Sequence, residues 1–331
     1  MTVLVTGGSG HLGANLVRRL LDDGVHVRAL ARRHSDNAGL DGLDVEQVWG
    51  DLRDAAAVRA ALRGCRRVYH CAAKVSSGEG QVQEIYTSNV VGTRNLLRAA
   101  LEVGVDRVVV SGSFSAVGHE PGRASDESVP VNPFDRLLPY QRSKVAVEHE
   151  CLKAAVDGLD VVIATSCAIL GPNDFKPSRM GRVLVDFAHG RLRAYIPGSF
   201  EFVAARDIVE GHLLAMEKGR TGQKYIFSTA FTTVDELMML FEKVTGRSRP
   251  RLRLPPPLMA GLAEVASFVT TRMRPHAPQR FTPGAVRLLR MDRRADTTKA
   301  RRELGFTPTS VRDAIAEAYA DFARRGLVPA R

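Results

Sequence analysis

The chain has 331 residues, of which 44% are hydrophobic and 25% are charged, which is the composition of a globular protein large enough to bury a sizeable core. Its net charge of +11 comes mostly from arginines spread along the chain rather than from one basic stripe interleaved with aromatic residues, so we expect no nucleic-acid partner. The four cysteines have neither CxxC nor metal-ligand spacing, which argues against a disulfide scaffold and favours reduced thiols, no bound metal and a cytoplasmic protein.

The first element in chain order is a buried strand, because residues 3–7 form the short apolar run VLVTG. Since this strand starts at once, we expect no signal peptide. Strand and helix patterns then alternate, with further strands at residues 26–32, 45–51, 67–73, 107–113 and 159–170, and with helices at residues 12–24, 54–65, 83–104 and 139–158. This alternation predicts an α/β fold, with a parallel, doubly wound Rossmann sheet and helices on both faces.

The alternation breaks at GPNDFKPSRMG, residues 171–181, and short elements follow in a different order. We therefore predict a dinucleotide-binding Rossmann domain at residues 1–165 and a smaller, mixed α/β substrate-binding lobe at residues 166–331. The chain is expected to return to the first domain at about residues 203–228.

A glycine-rich turn, TGGSGHLG, follows the first strand directly. Gly7, Gly10 and Gly13 have GxxGxxG spacing, which allows a tight turn, close approach of a pyrophosphate and close packing of strand against helix. His11 and Leu12 begin the helix, whose N-terminus faces the anion. Because the turn lies between a strand and a helix in a βαβ unit, these five residues predict a dinucleotide site.

The end of the second strand decides which dinucleotide is expected. An NAD site would carry an acidic residue there to bind the ribose 2′-hydroxyl, but this chain has Ala31, followed by Arg32 and Arg33. Guanidinium groups bind a 2′-phosphate through charge-assisted hydrogen bonds. We therefore favour NADP(H), with NAD(H) as the alternative if the two arginines only belong to the arginine-rich surface.

Two further segments are expected to line the cofactor. Asp51 and Leu52 follow the third strand, where an adenine ring would lie, although Asp51 is equally suited to cap the next helix. The backbone expected beneath the phosphates and the ribose follows the fourth strand and is that of Cys71, Ala72, Ala73 and Lys74.

The segment PYQRSK places Tyr140 and Lys144 four residues apart at the start of a predicted helix, where they lie on one helix face. Pro139 is common in a first helical turn, so the segment by itself is equally consistent with an ordinary helix start. A lysine ammonium and an oxidised nicotinamide beside a tyrosine would lower the tyrosine pKa from about 10, which would make proton transfer efficient.

Taken in order, these motifs resemble the extended short-chain dehydrogenase/reductase superfamily, also called the NAD-dependent epimerase/dehydratase family. The matching segments span almost the whole chain and are TGGSGHLG, GDLRD, HCAA, NVVGTRNLL, VVVSGSFSAVG, YQRSK, GP at 171–172 and KARRELGFTP. HVRALARR looks like the dihydroflavonol-4-reductase branch. Residues 176–219 look like the hopanoid-associated sugar epimerase proteins that are grouped with that branch.

The resemblance implies catalytic roles for three residues. Tyr140 matches the family's proton-transferring tyrosine, Lys144 its lysine partner, and Ser113 the serine that hydrogen-bonds the substrate oxygen. Asn89 is similar to a helix asparagine that is mostly structural in the family. Further cofactor contacts are expected from Ser111, Cys167 and Ile169.

Two departures from the sugar-nucleotide members affect the expected substrate. Those members carry an Arg and an Asn in a motif resembling LRxxNxxGP, whereas the run here is VVIATSCAILGP, with Ser166 where many relatives have proline. The late FVHVDD-like motif is FVAARD here and keeps Asp207, which we interpret as a helix cap. The loss of these polar residues weakens the assignment as a UDP-sugar epimerase.

Substrate specificity is expected to come from the second lobe and from the loop at residues 118–139. The candidates for the pocket wall are Ser115, Phe134, Phe175, Met180, Phe200 and the apolar stretch at residues 255–271. Each apolar candidate by itself is more typical of core packing than of a pocket. The apolar stretch contains Glu264 and is short for a membrane span, so we expect no such span.

These features together predict an NADPH-dependent reductase of a ketone or aldehyde in a small, apolar or aromatic metabolite, with hydride from NADPH and a proton from Tyr140. The alternatives are an NAD(P)-dependent sugar epimerase or dehydratase, a hydroxysteroid-type dehydrogenase and a redox-silent NADP sensor. We expect a monomer or a homodimer, with the helices at residues 82–103 and 140–157 as candidate dimer surfaces.

Overall fold

The parallel sheet that the alternation predicts is present in the computed structural model, which describes residues 2–75, 81–132, 134–135, 137–254 and 289–329. Within these residues the strands of the main sheet are β1 (Thr2–Thr6), β2 (His26–Ala31), β3 (Glu46–Trp49), β4 (Cys65–His70), β5 (Arg107–Ser113), β6 (Val161–Ser166) and β10 (Lys224–Phe227). Their spatial order is β10-β6-β5-β4-β1-β2-β3, and every neighbouring pair is parallel. The predicted fold class is therefore confirmed.

Helices flank this sheet and also form part of the second lobe. In the described ranges they are α1 (His11–Asp22), α2 (Ala55–Leu62), α3 (Val82–Tyr86), α4 (Gly92–Val103), α5 (Pro139–Val156), α6 (Arg179–Ala188), α7 (Ala205–Lys218), α8 (Val234–Thr245), α9 (Thr298–Leu304) and α10 (Val311–Arg324). A π-helical turn at Thr87–Val91 joins α3 to α4. None of these helices is long and apolar enough to cross a membrane.

The central strand β5 shows why both faces of the sheet need helices. Its consecutive residues Val108, Val109 and Val110 are all buried, and neighbouring side chains of a strand point to opposite faces. Val109 belongs to the core shared with α1 and α7, whereas Val108 and Val110 belong to the core shared with α2, α4 and α5. Burial on both sides therefore produces the continuous apolar run that the sequence shows.

After β6 the chain builds smaller elements on both sides of β10, the strand that returns to the main sheet. These are β7 (Ala168–Leu170), β9 (Ser199–Ala204) and β11 (Ala230–Thr233), which form one sheet, and β8 (Ala194–Tyr195) and β12 (Leu252–Arg253), which form another. A second apolar core holds them together with α6, α8 and α10, and in it the rings of Phe187 and Phe241 meet edge to face at 5.4 Å. The domain division after residue 165 stays a prediction, and the apolar stretch at residues 255–271 lies outside the described residues.

Asp207 is not the helix cap that its position suggested. Helix α7 begins at Ala205, and the residue before it, Ala204, has no side-chain capping hydrogen bond. The buried Asp207 carboxylate instead accepts hydrogen bonds from the Thr229 hydroxyl at 2.5 Å and from the Thr309 backbone N–H at 3.0 Å. It therefore ties the start of α7 to the connection after β10 and to the segment that precedes α10.

Replacing this carboxylate should destabilise the whole fold. In Asp207→Ala the Thr229 hydroxyl and the Thr309 N–H lose a charged acceptor in a buried place, so the free energy of unfolding should fall by roughly 2 to 4 kcal/mol. Urea unfolding followed by circular dichroism measures this change. Asp44→Ala removes an exposed carboxylate and is the matched control, with an expected change within about 0.5 kcal/mol. Equal stability of the two variants would contradict the role of Asp207.

Candidate cofactor site and active site

The glycine-rich turn is packed tightly against the end of β4. Gly7 has a φ of 72°, and a Cβ built on it would lie 2.6 Å from the Cα of Ala72, so this position requires glycine. A Cβ on Gly13 would collide with the Gly7 carbonyl oxygen, which shows how closely α1 approaches the turn. The Gly10 N–H closes the turn by donating to the Gly7 carbonyl at 2.9 Å.

The N-terminus of α1 forms a cradle for an anion. Gly10 precedes the helix without a side-chain cap, which leaves the first N–H groups of the helix available. Apart from its chain neighbours, a Cβ on Gly10 would meet only the Gly7 carbonyl within 4 Å in the described part of the chain, so the space above the turn is open. The His11 ring lies against the Pro172 carbonyl, with Nε2 at 3.1 Å, and the Leu12 side chain is buried, so neither side chain enters the hydrogen-bonding of the turn itself. This geometry fits a dinucleotide pyrophosphate.

A cavity of about 500 Å³ lies beyond the ends of β2 and β3. It is lined by Arg32, Arg33, His34, Ser35, Trp49, Gly50, Asp51 and Arg53. Ala31 is buried at the end of β2, where an NAD site would carry a carboxylate, and the two arginines that follow it are exposed. The positive lining and the missing carboxylate fit the phosphate-bearing adenosine end of NADP(H).

Asp51 lies in this cavity and does not cap the next helix. Its carboxylate receives two hydrogen bonds from the Arg53 guanidinium, at 2.9 and 2.7 Å, and these hydrogen bonds lower the Asp51 pKa. Asp54 is the cap of α2, because its side chain accepts the N–H groups of Ala56 and Ala57. The side chain of Leu52 packs against the start of α4.

Asn89 connects the cofactor cradle to the helix of Tyr140. Its amide is paired with the backbone of Lys74 in both directions, at 2.7 and 3.0 Å, which fixes the segment from Cys71 to Lys74. The same amide donates to the Ser143 hydroxyl at 3.0 Å, and Ser143 donates to the Tyr140 carbonyl at 2.7 Å. Asn89 lies in the π-helical turn, a feature often found at functional sites.

The structure brings together the three residues that were predicted to be catalytic. The Tyr140 side chain lies close enough to that of Ser113 for the serine to act on the Tyr140 pKa, and the hydroxyl oxygens of Ser113 and Ser115 are 2.8 Å apart. One turn along α5 from Tyr140, the buried Lys144 ammonium donates to the Ser111 carbonyl at 2.8 Å. A phenol, two hydroxyls and an ammonium therefore converge at the carboxyl end of β5.

Burial acts on the pKa values of this group in opposite directions. It raises the pKa of Tyr140, and the nearby Ser113 side chain only partly offsets this effect. The sequence reasoning expected the neighbouring ammonium to lower the Tyr140 pKa, but in the protein itself loss of hydration dominates. Burial lowers the pKa of Lys144 to about 8, because hydration is lost by a positive charge.

His212 is part of this site although no sequence motif singled it out. It lies on α7, is fully buried, and its Nδ1–H donates to the Ile208 carbonyl at 2.8 Å, which leaves Nε2 to accept the Ser111 hydroxyl at 2.8 Å. Burial lowers the His212 pKa to about 4, so the ring is neutral. The Ser111 side chain is thus held by His212, and its carbonyl is held by Lys144.

Arg293, also absent from the sequence reasoning, clamps the loop that carries the catalytic serine. Its Nη2 donates to the carbonyls of Phe114, Val117 and Gly118 at 3.2, 2.7 and 3.2 Å. Its guanidinium carbon also lies 4.7 Å from the centre of the Phe114 ring. The segment before α9 therefore holds the turn that follows β5.

The remaining predicted residues lie in different places, and their roles stay predictions. Cys167 is buried beside the carboxylate of Glu201, and Ile169 packs at the edge of the main core. Met180 and Phe200 pack against the second core. The apolar residues that were predicted to line a substrate pocket, including the two phenylalanines described next, therefore do not form one cluster.

Two of the predicted pocket phenylalanines have unexpected surroundings. Phe134 is 91% exposed, at the tip of the loop at residues 118–139. Phe175 is sandwiched between the guanidinium groups of Arg18 and Arg325, at 5.1 and 4.8 Å from its ring centre. Phe175 thereby joins α1 to the end of α10, which is a stabilising contact between the two parts of the chain.

Comparison with known proteins places the chain in a family. The family model of the NAD dependent epimerase/dehydratase family matches residues 3–228. The sterol demethylase protein B of Methylococcus capsulatus is 49% identical, over 99% of this chain and 100% of its own. A putative dihydroflavonol 4-reductase of Synechocystis is 33% identical, over 98% of this chain and 95% of its own.

Solved structures agree with this match. The crystal structure of gox2253 superposes with a TM-score of 0.87 at 31% identity, and the similarity covers 99% of both chains. The sheet order, the glycine-rich turn and the full-length similarity to these proteins lead to one assignment. The chain belongs to the NAD-dependent epimerase/dehydratase family, the extended short-chain dehydrogenases and reductases.

Proposed function

We propose that the protein is an NADPH-dependent reductase of a ketone or aldehyde in an apolar metabolite. The observation that carries this proposal is that the Tyr140 phenol, the Ser113 hydroxyl and the buried Lys144 ammonium meet at the carboxyl end of β5, where Lys144 donates to the Ser111 carbonyl at 2.8 Å and lies one helical turn from Tyr140. A hydroxyl pair of this kind fits the oxygen of a carbonyl group, because one hydroxyl transfers a proton while the other donates a hydrogen bond. The bound NADPH supplies the hydride.

Each residue then has a defined task. Tyr140 gives its proton to the carbonyl oxygen, which gains an electron pair as the adjacent carbon is reduced. Ser113 donates a hydrogen bond to the same oxygen, and Ser115 holds the Ser113 hydroxyl in place through their 2.8 Å contact. Lys144 keeps a positive charge near Tyr140 and stabilises the phenolate that remains.

Two features of the site favour an apolar substrate over a nucleotide sugar. The positions of the Arg and the Asn in the sugar-nucleotide motif hold Thr165, which is fully buried, and Ala168. The Ser166 hydroxyl turns back to the Gly112 carbonyl at 3.4 Å rather than adding polarity to a pocket. In the described part of the chain, these three positions therefore offer a sugar nucleotide none of the polar partners that the motif of its relatives supplies.

A second candidate function is oxidation of a hydroxyl group on a sterol-like ring system. It is favoured by the 49% identity, over the full chain, to a protein named as a sterol demethylase component. The same residues serve both directions, since Tyr140 accepts in oxidation the proton that it donates in reduction. The two functions share the apolar substrate and differ in the direction of hydride transfer.

A substrate panel tests the proposal directly. Aromatic, terpenoid and steroid ketones and aldehydes are offered with NADPH, hydroxysteroids with NADP⁺, and UDP-sugars with either cofactor. We expect one alcohol to form for each NADPH consumed with an apolar carbonyl compound, measured by absorbance and product analysis. Turnover of hydroxysteroids alone would select the second candidate. Interconversion of UDP-sugars without net cofactor consumption would contradict both.

The role of Tyr140 predicts the effect of removing one oxygen atom. In Tyr140→Phe the proton donor is lost, so kcat should fall by about 10²- to 10⁴-fold, while the Kd for NADPH stays within a factor of about three. Steady-state kinetics and calorimetric titration measure the two quantities. Tyr86→Phe changes an exposed tyrosine and should keep normal turnover. Near-normal turnover of Tyr140→Phe would refute the assignment.

The two shifted pKa values predict an alkaline limit for reduction. Tyr140 must be protonated, and its raised pKa keeps it so well above neutral pH. Lys144 must be charged, and its pKa of about 8 means that the charge is present below that pH and lost above it. The kcat/KM for NADPH-dependent reduction should therefore fall above about pH 8.

The matched variant is Lys144→Arg, whose guanidinium stays charged over the accessible range. Any activity that this variant keeps should show no fall near pH 8, although the rate itself is reduced. A wild-type profile that stays flat to about pH 10 would contradict the assignment of the alkaline limb to Lys144.

A further inference from the structure

The cavity beyond β2 and β3 contains Trp49, the single tryptophan of the chain. Trp49 is the last residue of β3 and pairs in register with Ala31, directly beside the start of the arginine pair. Its side chain is 42% exposed, and the guanidinium carbon of Arg33 lies 5.6 Å from the centre of its ring. An exposed indole under a guanidinium is a cation–π contact.

The two arginines of the cavity are not equivalent. Arg32 has acidic neighbours. Arg53 is the main cause of the lowered Asp51 pKa and Lys74 is the main cause of the lowered Glu84 pKa, and the charge of Arg32 makes a smaller contribution to both. Neither arginine forms an ion pair within 4 Å with a carboxylate of the described residues, but of the two only Arg33 has an aromatic ring against its guanidinium. Its position is therefore defined by the Trp49 ring, which leaves the edge of the guanidinium free to donate hydrogen bonds.

We propose that Trp49 is a positioning residue for cofactor specificity, which holds the Arg33 guanidinium ready for the 2′-phosphate of NADP(H). The proposal rests on the NADP(H) preference inferred above and extends it to a residue outside the glycine-rich turn and the arginine pair. A phosphate takes its hydrogen bonds from the edge of a guanidinium, whereas an aromatic ring contacts its face, so Arg33 satisfies both partners at once.

The physical gain comes from ordering Arg33 before the cofactor binds. A free arginine side chain loses rotamer freedom when it binds a phosphate, and stacking on Trp49 removes part of that loss beforehand. Because the 2′-phosphate distinguishes NADP(H) from NAD(H), the benefit falls on one cofactor only. Loss of the ring should therefore weaken binding of the 2′-phosphate by roughly 3- to 30-fold.

Binding of nucleotide fragments tests this without any catalytic turnover. Adenosine 2′,5′-bisphosphate and adenosine 5′-monophosphate are titrated calorimetrically into the full chain and its variants. Trp49→Leu should weaken the bisphosphate by about 10-fold and leave the monophosphate within about 2-fold. Trp49→Phe keeps a ring and should retain most of the affinity. Tyr86→Leu removes an aromatic side chain of similar exposure, 44%, and is the control that should change neither.

A double-mutant cycle shows whether Trp49 acts through Arg33. In an Arg33→Met background, Trp49→Leu should cause no further loss of bisphosphate affinity, because the group that the ring positions is gone. In the wild type, the emission of the single tryptophan should respond more strongly to the bisphosphate than to the monophosphate. This readout needs no variant and so does not depend on how the variants fold.

Three results would overturn the proposal, and each has a different meaning. If Trp49→Leu weakens the binding of both nucleotides equally, the indole contacts the adenine ring rather than positioning Arg33 for the 2′-phosphate. Additive losses in the Arg33→Met background would show that Trp49 acts independently of Arg33. A wild type that binds both nucleotides equally would remove the NADP(H) preference as well. None of these results touches the carbonyl chemistry, which the substrate panel decides separately.

Discussion

The arrangement of the active site depends on one buried positive charge, the ammonium of Lys144. A charge removed from water is costly unless nearby groups accept its hydrogen bonds, and here the Ser111 carbonyl does so at 2.8 Å. Two histidines in the same region, His70 and His212, are both fully or almost fully buried, and their pKa values of about 3 and 4 keep them neutral. Burial and, after it, the Lys144 charge lower both histidine pKa values, so neither histidine adds a second positive charge beside Lys144.

The parallel sheet explains how residues so distant in the chain meet around this charge. Carboxyl ends of parallel strands lie at one edge of the sheet, and a doubly wound fold binds its ligands there. The glycine-rich turn follows β1, the arginines follow β2, and Ser113 ends β5. Helix α5 then adds Tyr140 and Lys144, while Asn89 joins that helix to the cradle after β4. The carboxyl edge of the sheet thus carries both the candidate cofactor residues and the three residues that were predicted to be catalytic.

The second part of the chain also supports this edge of the sheet. Arg293 clamps the loop after Ser113, Asp207 anchors the start of α7, and α7 carries His212 to the Ser111 hydroxyl. Phe175 joins α1 to α10 through its two arginines. The Arg293 and His212 contacts join residues beyond position 170 to β5 and the loop after it, so changes in the second part of the chain have a direct physical route to Ser113. Such a construction suits a family in which one set of catalytic residues serves reductases, epimerases and dehydratases.

The sequence by itself determined the features that depend on local pattern. The alternation of apolar runs specified the Rossmann sheet, glycine spacing located the phosphate turn, and PYQRSK placed Tyr140 and Lys144 on one helix face, because backbone periodicity and glycine geometry act over a few residues. Only the tertiary structure decided that Asp207 binds Thr229 and Thr309, that Arg53 occupies the Asp51 carboxylate, and that burial raises the Tyr140 pKa. Hydrogen-bond partners and loss of hydration depend on which distant segments pack together, and a local pattern does not specify that packing.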